Sequence, residues 1–192
     1  MTRCASGRTL GSSRSTTTSE VPAKRTEAAI RAAGPGDAEA IARIYRQGIE
    51  ERVATFQTEA PSAGEIAAEI AAGRLMVVAE GNGHVVGWAS VGPYDDAHSY
   101  YAGVGEATLY VDRAARRGGA GGALLGALAV EAERRGYHKL IGKIFSSNEP
   151  SIALVKSCGW REVGVHRRHG RLDGEWKDVL VVERLLGAAP ED

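Results

Sequence analysis

The chain has 192 residues, a length that favours one domain, and its 43% hydrophobic and 25% charged content excludes a wholly disordered polypeptide. Its 24 Lys+Arg are matched by 24 Asp+Glu, which disfavours a partner held by bulk electrostatics, such as nucleic acid. No apolar run approaches the about 18–20 residues of a membrane span, and two cysteines, Cys4 and Cys158, cannot build a disulfide framework, which fits a reducing cytosol.

Residues 1–27 form a predicted disordered extension. They are poor in apolar residues and basic, with Arg3, Arg8, Arg14, Lys24 and Arg25 outweighing Glu20 and Glu27. An acid-poor, Arg- and Ser-rich start also has the composition of an organelle transit peptide; a solvated extension is the plainer reading. A single domain is expected over residues 28–187, with a short tail at 188–192. It opens with a strand at AIRAA (29–33), a turn at Gly34-Pro35-Gly36, and Asp37 as N-cap of a helix carrying Ile41, Ile44, Tyr45 and Ile49. Ser62 and Glu65 form a capping box for a second helix with Ile66 and Ile70. Strands follow at 75–80 and 84–91, joined by Gly81-Asn82-Gly83, a hairpin signal, and then at 107–111. A glycine-rich loop leads into a helix with Leu124, Leu125, Leu128 and Ala132. A strand at 139–145, a short helix from Pro150 to Cys158-Gly159, and strands near 160–166 and 176–184 complete the chain. The order predicts an α+β domain, a mixed sheet flanked by helices.

The loop after strand 107–111 is the most informative segment. Glycines that open a helix let backbone N–H groups approach an anion, and Arg116 and Arg117 add positive charge, so the segment reads as a phosphate cradle. It lacks the Gly-Lys-Ser/Thr of a Walker loop. It also lacks the acid that a dinucleotide-binding fingerprint places after the next strand, which ends here in Phe145-Ser146-Ser147. What remains is R-x-x-G-x-G, met by Arg116, Gly119 and Gly121.

That motif resembles the acetyl-CoA loop of the GNAT superfamily of N-acetyltransferases, and the resemblance extends over about residues 29–187. Asn148-Glu149-Pro150-Ser151 and Ser157-Cys158-Gly159-Trp160 are similar to a second motif of the superfamily. GIEERVATF, YYAGVGEATLYV and HRRHGRLDGEWKDV resemble the phosphinothricin acetyltransferase branch, and within it the arsinothricin-resistance members.

The resemblance implies acetyl-CoA as co-substrate and no metal. It places the cofactor against Leu109, Tyr110 and Val111, against Arg116, Arg117, Gly118, Gly119, Ala120, Gly121 and Gly122, and against Asn148 and Ser151. It implies that Glu106, expected at the start of its strand, is the general base that deprotonates an α-ammonium. The oxyanion is expected to take a backbone N–H near Tyr110 or Val111, where the strand leaves its neighbour and the pantetheine arm enters. Many members of the branch carry a catalytic His where Val155 stands here, so either the thiolate leaves without a dedicated acid, or Tyr110 or another residue serves. Phe56, Tyr101 and Val179 match acceptor-proximal positions. His98 stands where members often have an Arg for the acidic head, and Arg74 and Lys143 are the alternative cations.

The histidines His84, His98, His138, His166 and His169 show no metal-ligand spacing, and each reads as a surface or structural residue. The implied function is acetylation of the α-amine of a small glutamate-like amino acid, arsinothricin or phosphinothricin, conferring resistance. Methionine sulfoximine or sulfone are alternative acceptors, and a non-catalytic acyl-CoA-binding module is the alternative class. A cytoplasmic homodimer is expected, with residues 179–186 completing either a shared surface or the monomer's own core.

Overall fold

The computed structural model describes residues 28–95 and 97–187; the expected extension over 1–27 and the tail at 188–192 lie outside the described residues. Seven strands form one sheet: β1 (Ala29–Ala32), β2 (Leu75–Gly81), β3 (His84–Pro93), β4 (Val104–Val111), β5 (Lys139–Phe145), β6 (Arg161–Leu172) and β7 (Glu175–Leu185), in the order β1-β2-β3-β4-β5-β7-β6. All neighbours are antiparallel except β4 and β5. The mixed-sheet α+β expectation holds.

Alternation along the strands divides the core into two layers. Met76, Val78 and Trp88 face α1 (Ala38–Glu50) and α2 (Ala63–Ala71), meeting Ile41, Ile44 and Ile66. Leu75, Val77, Ala89, Val91, Leu140 and Val182 face the other way, onto Leu124, Leu125 and Leu128 of α3 (Ala120–Arg134) and Val155 of α4 (Glu149–Ser157). The capping box at Ser62 and Glu65 forms as expected, with the Glu65 N–H donating to Ser62 Oγ at 3.2 Å and the Ser62 N–H to Glu65 Oε2 at 2.8 Å. Asp37 does not cap α1 with its side chain. A 3₁₀ turn intervenes, and the carboxylate accepts from the Gly34 N–H and pairs with Arg31 at 2.7 Å, which holds its carboxyl below the usual range.

Two strands exceed their expected ranges by three residues or more. β4 begins at Val104, so Glu106 lies inside the strand rather than at its start. β6 runs to Leu172 through a register shift between His166 and Gly170 that hides its alternation. Close packing also requires Gly48 on α1, because a Cβ there would lie 2.4 Å from the Tyr110 ring.

Among the described residues no helix is long and apolar enough to cross a membrane.

Candidate active site

β4 and β5 pair over three residues only, from Val104↔Lys139 to Glu106↔Ile141. Beyond Glu106 the strands diverge while β4 stays paired to β3 through Val111. The parity of that ladder decides which amides face the gap. The Asp112 N–H donates to the Val86 carbonyl and the Tyr94 N–H to the Val104 carbonyl. Alternation between these ends turns the amides of Glu106, Thr108 and Tyr110 toward β3 and those of Leu109 and Val111 toward the gap. Of the two residues suggested for the oxyanion donor, the ladder therefore leaves Val111 and withdraws Tyr110.

The gap opens into a cavity of about 550 Å³. Its lining includes Leu109, Leu125, Asn148, Ser151, Leu154, Val155 and Trp160 together with Tyr45, Thr55, Phe56, Gln57, Glu106, Thr108, Lys143, Phe145, His169, Gly170 and Val179. Glu106 and its partner Gly92 lie on the α1–α2 face, as do Thr108 and Tyr110. Lys143 Nζ lies 2.8 Å from Glu106 Oε2, with the two side chains 41% and 34% exposed, so one oxygen is held and the carboxylate still meets solvent.

Tyr110 packs in an aromatic cluster, its ring centroid 5.2 Å from Trp88 and 4.7 Å from Tyr45. Burial pushes its phenol above its ordinary value; Tyr45 adds to the shift and a hydrogen bond with Thr55 opposes it. A phenol shifted in that direction is a poorer proton donor, which argues against the expected acid role.

The glycine loop forms the N-terminus of α3. Gly119 is the N-cap with φ +93°, and a Cβ there would be strained by the backbone alone. The first helical bond runs from the Ala123 N–H to the Gly119 carbonyl, so the amides of Ala120, Gly121 and Gly122 have no partner within the helix. Arg117 is exposed with φ 63°. Arg116 is engaged elsewhere: its Nη2 lies 2.8 Å from Glu51 Oε2 and its Nε 3.3 Å from the Val111 carbonyl. Its guanidinium ties the loop to the end of α1, and the backbone amides remain as the anion donors. Arg43 pairs with Asp112 in the same seam. Burial alone would raise the Asp112 carboxyl, but Arg43 and the Ala114 N–H together bring it below the ordinary range. Gly121 is a packing glycine, since its Cβ would sit 2.9 Å from Leu154, whereas Gly122 has room. Asn148 caps α4 by accepting from the Ser151 N–H and donates to the Val53 carbonyl.

Of the expected acceptor residues, Phe56, Lys143 and Val179 come together in the cleft, with Phe56 edge-on to Phe145 at 4.8 Å. His98 and Tyr101 do not line it. His98 pairs with Asp95 at 3.0 Å and stacks on Tyr100, and Tyr101 packs edge-on against Tyr94 and Tyr100. The reason is local: Tyr94, His98, Tyr100 and Tyr101 pack on one another. Arg74 also lies outside the main cavity. Its guanidinium covers Gly92, the cross-strand partner of Glu106, and pairs with Glu69 at 3.4 Å. Conversely, His169 was expected to be a surface or structural residue, yet it lines the cleft. Thr108, two residues from Glu106 on the same strand face, also lines the cavity although no sequence motif singled it out; His169 carried no signal either, because a bulge sets its position.

Residues 41–160 match the Acetyltransferase (GNAT) family. The chain belongs to that family. The phosphinothricin N-acetyltransferase of Streptomyces viridochromogenes is 32% identical to it over 155 residues, covering 78% of this chain and 83% of that protein. The L-methionine sulfoximine/L-methionine sulfone acetyltransferase of Pseudomonas paraeruginosa is 30% identical over 164 residues, covering 83% and 95%. The crystal structure of a GNAT phosphinothricin acetyltransferase from Sinorhizobium meliloti in complex with acetyl-CoA superposes with a TM-score of 0.79 at 30% identity, covering 85% of this chain and 91% of that one.

This GNAT protein is an N-acetyltransferase, and acetyl-CoA is its co-substrate. Its residues fit that ligand. The helical amides behind Gly119 suit a pyrophosphate, and the β4–β5 gap offers the Leu109 and Val111 amides to an amide-bearing arm.

Proposed function

We propose that this acetyltransferase works in the cytosol on the α-amine of a small amino acid with an acidic tetrahedral head, of the phosphinothricin or arsinothricin kind. The observation that carries the reading is the placement of Glu106, a solvent-touching carboxylate where β4 leaves β5, facing a pocket walled by Phe56, Phe145 and Val179. The names and activities of the relatives support it.

In this reading Glu106 takes the ammonium proton, directly or through water, and the amine attacks the thioester. The Val111 N–H stabilises the developing oxyanion. The cofactor's pyrophosphate rests on the amides of residues 117–122. Arg116 and Asn148 fix the loop and the start of α4, and Ser151 lines the cleft. Lys143 holds one oxygen of Glu106, leaving the other for the amine. The thiolate leaves without a dedicated acid, since Val155 cannot donate a proton and the Tyr110 phenol is a poor donor. Steady-state kinetics with phosphinothricin, arsinothricin and methionine sulfone test the acceptor class. Saturable turnover is expected with the acidic-headed acceptors, and turnover of neither phosphinothricin nor arsinothricin refutes the reading, whether or not methionine sulfone reacts.

We also infer a homodimer. Of the apolar C-terminal stretch, Val179, Leu180, Val182 and Leu186 fill the protomer's own core. Leu185 is 58% exposed, and Val163 and Val165 on the edge strand β6 are 52% and 49% exposed. An open edge carrying apolar side chains favours pairing with a second copy. Sedimentation at micromolar concentration is expected to show a species twice the 20.2 kDa chain mass; monomer alone overturns the inference.

A further inference from the structure

We propose that His169, held in place by His166, reads the acidic head of the acceptor and makes the β6 bulge the specificity element of the cleft. The proposal rests on the acceptor class proposed above. Residues three apart on a regular strand point to opposite faces. In β6, however, the Nδ1 atoms of His166 and His169 lie 3.3 Å apart, with ring centroids separated by 4.8 Å. The register shift between His166 and Gly170 brings them together.

The bulge is anchored. Arg168 sits in the left-handed region with φ 49°, and its N–H donates to Asp178 Oδ1 at 2.7 Å. Left-handed backbone at a non-glycine residue persists only where its surroundings impose it. Gly170 then lets Phe56 close on the strand, since a Cβ there would lie 2.8 Å from the Phe56 ring. His169 thereby lines the cavity with Phe56 and Val179, while His98 stays outside.

The paired nitrogens fix what His169 offers. With both Nδ1 atoms engaged, Nε2 is the nitrogen His169 has left for a ligand. An anion selects the tautomer in which the His166 Nδ1–H donates to His169 Nδ1 and His169 Nε2–H becomes the donor to the head group. Lys143, across the cleft, is occupied by Glu106, so it does not duplicate this role.

Steady-state kinetics of the full-length wild type and of His169→Ala, His169→Gln and His166→Ala test the proposal, using phosphinothricin as the anionic-headed acceptor and methionine sulfone as the neutral one. A hydrogen bond to a charged group predicts that His169→Ala raises the phosphinothricin KM by roughly tenfold to a hundredfold. The KM values for methionine sulfone and acetyl-CoA, and kcat, should stay within about twofold. His169→Gln keeps an N–H donor and should recover part of the loss, and His166→Ala should give a smaller loss of the same kind. An unchanged phosphinothricin KM in both His169 variants, or equal losses for the two acceptors, overturns the proposal and leaves the acceptor class standing. A wild type that does not turn over phosphinothricin, whether or not it accepts methionine sulfone, removes the acceptor class and this proposal with it. Both rings are exposed, so thermal unfolding close to wild type is expected to accompany the kinetic change.

Discussion

Glu106→Gln is expected to lower kcat by roughly 10²–10⁴ while leaving acetyl-CoA affinity near wild type. The amide keeps the size of the side chain and a carbonyl toward Lys143 but cannot accept a proton from the acceptor's ammonium. The pH profile separates a base from a merely positional residue. As pH rises the free amine becomes abundant in solution, the proton transfer matters less, and the ratio of wild-type to variant kcat should fall. A ratio that is constant across pH would instead assign Glu106 to orientation of the acceptor. Affinity for acetyl-CoA, measured by calorimetry on the folded variant, should not move, because the carboxylate belongs to β4 whereas the pyrophosphate is read on the amides at the N-terminus of α3.

Gly122→Asp is expected to weaken coenzyme A binding while leaving the fold at least as stable. The residue is at the third position of α3, where an acidic side chain interacts favourably with the helix dipole, and its Cβ meets only Cys158 Sγ at 3.8 Å. The same charge opposes a pyrophosphate on the neighbouring amides. A charge pair on the order of 6 Å apart, at an effective dielectric between about 20 and 80, repels by roughly 0.7–2.8 kcal/mol, or about threefold to a hundredfold in Kd. Stability and affinity should therefore move independently. Gly121→Asp lacks that clarity, because its side chain would strike Leu154 and disturb packing as well as binding. Native coenzyme A affinity in folded Gly122→Asp would remove the pyrophosphate from the N-terminus of α3.

Much of this arrangement is a local property of the chain and was legible in it. Ser62 and Glu65 cap α2, Asn82 and Gly83 turn a hairpin with both residues at positive φ, and Gly119 opens α3 in the left-handed region. Each depends on dihedral preferences or hydrogen bonds within a few residues, so sequence spacing encodes them directly. The motif around Glu106 likewise marks the residue whatever its surroundings.

Tertiary structure decided the rest, because it depends on which segments meet. The divergence of β4 from β5 is a property of two strands separated by a helix, and it converts an ordinary ladder into a gap with free amides. Ladder parity, set by pairing with β3, turns the Val111 amide rather than that of Tyr110 toward the gap. Arg116 belongs to the loop motif, yet its guanidinium meets Glu51, a partner no local pattern names. His98 and His169 exchange their expected places for the same reason. One is retained by Asp95 and Tyr100 in its own loop, and the other is set in the cleft lining by a bulge anchored on Asp178 of the next strand. The sequence by itself determined the local turns, the caps of α2 and α3 and the family; long-range pairing determined which amides face the gap and which imidazole lines the cleft, since a change of one residue in register reverses the direction of every side chain that follows.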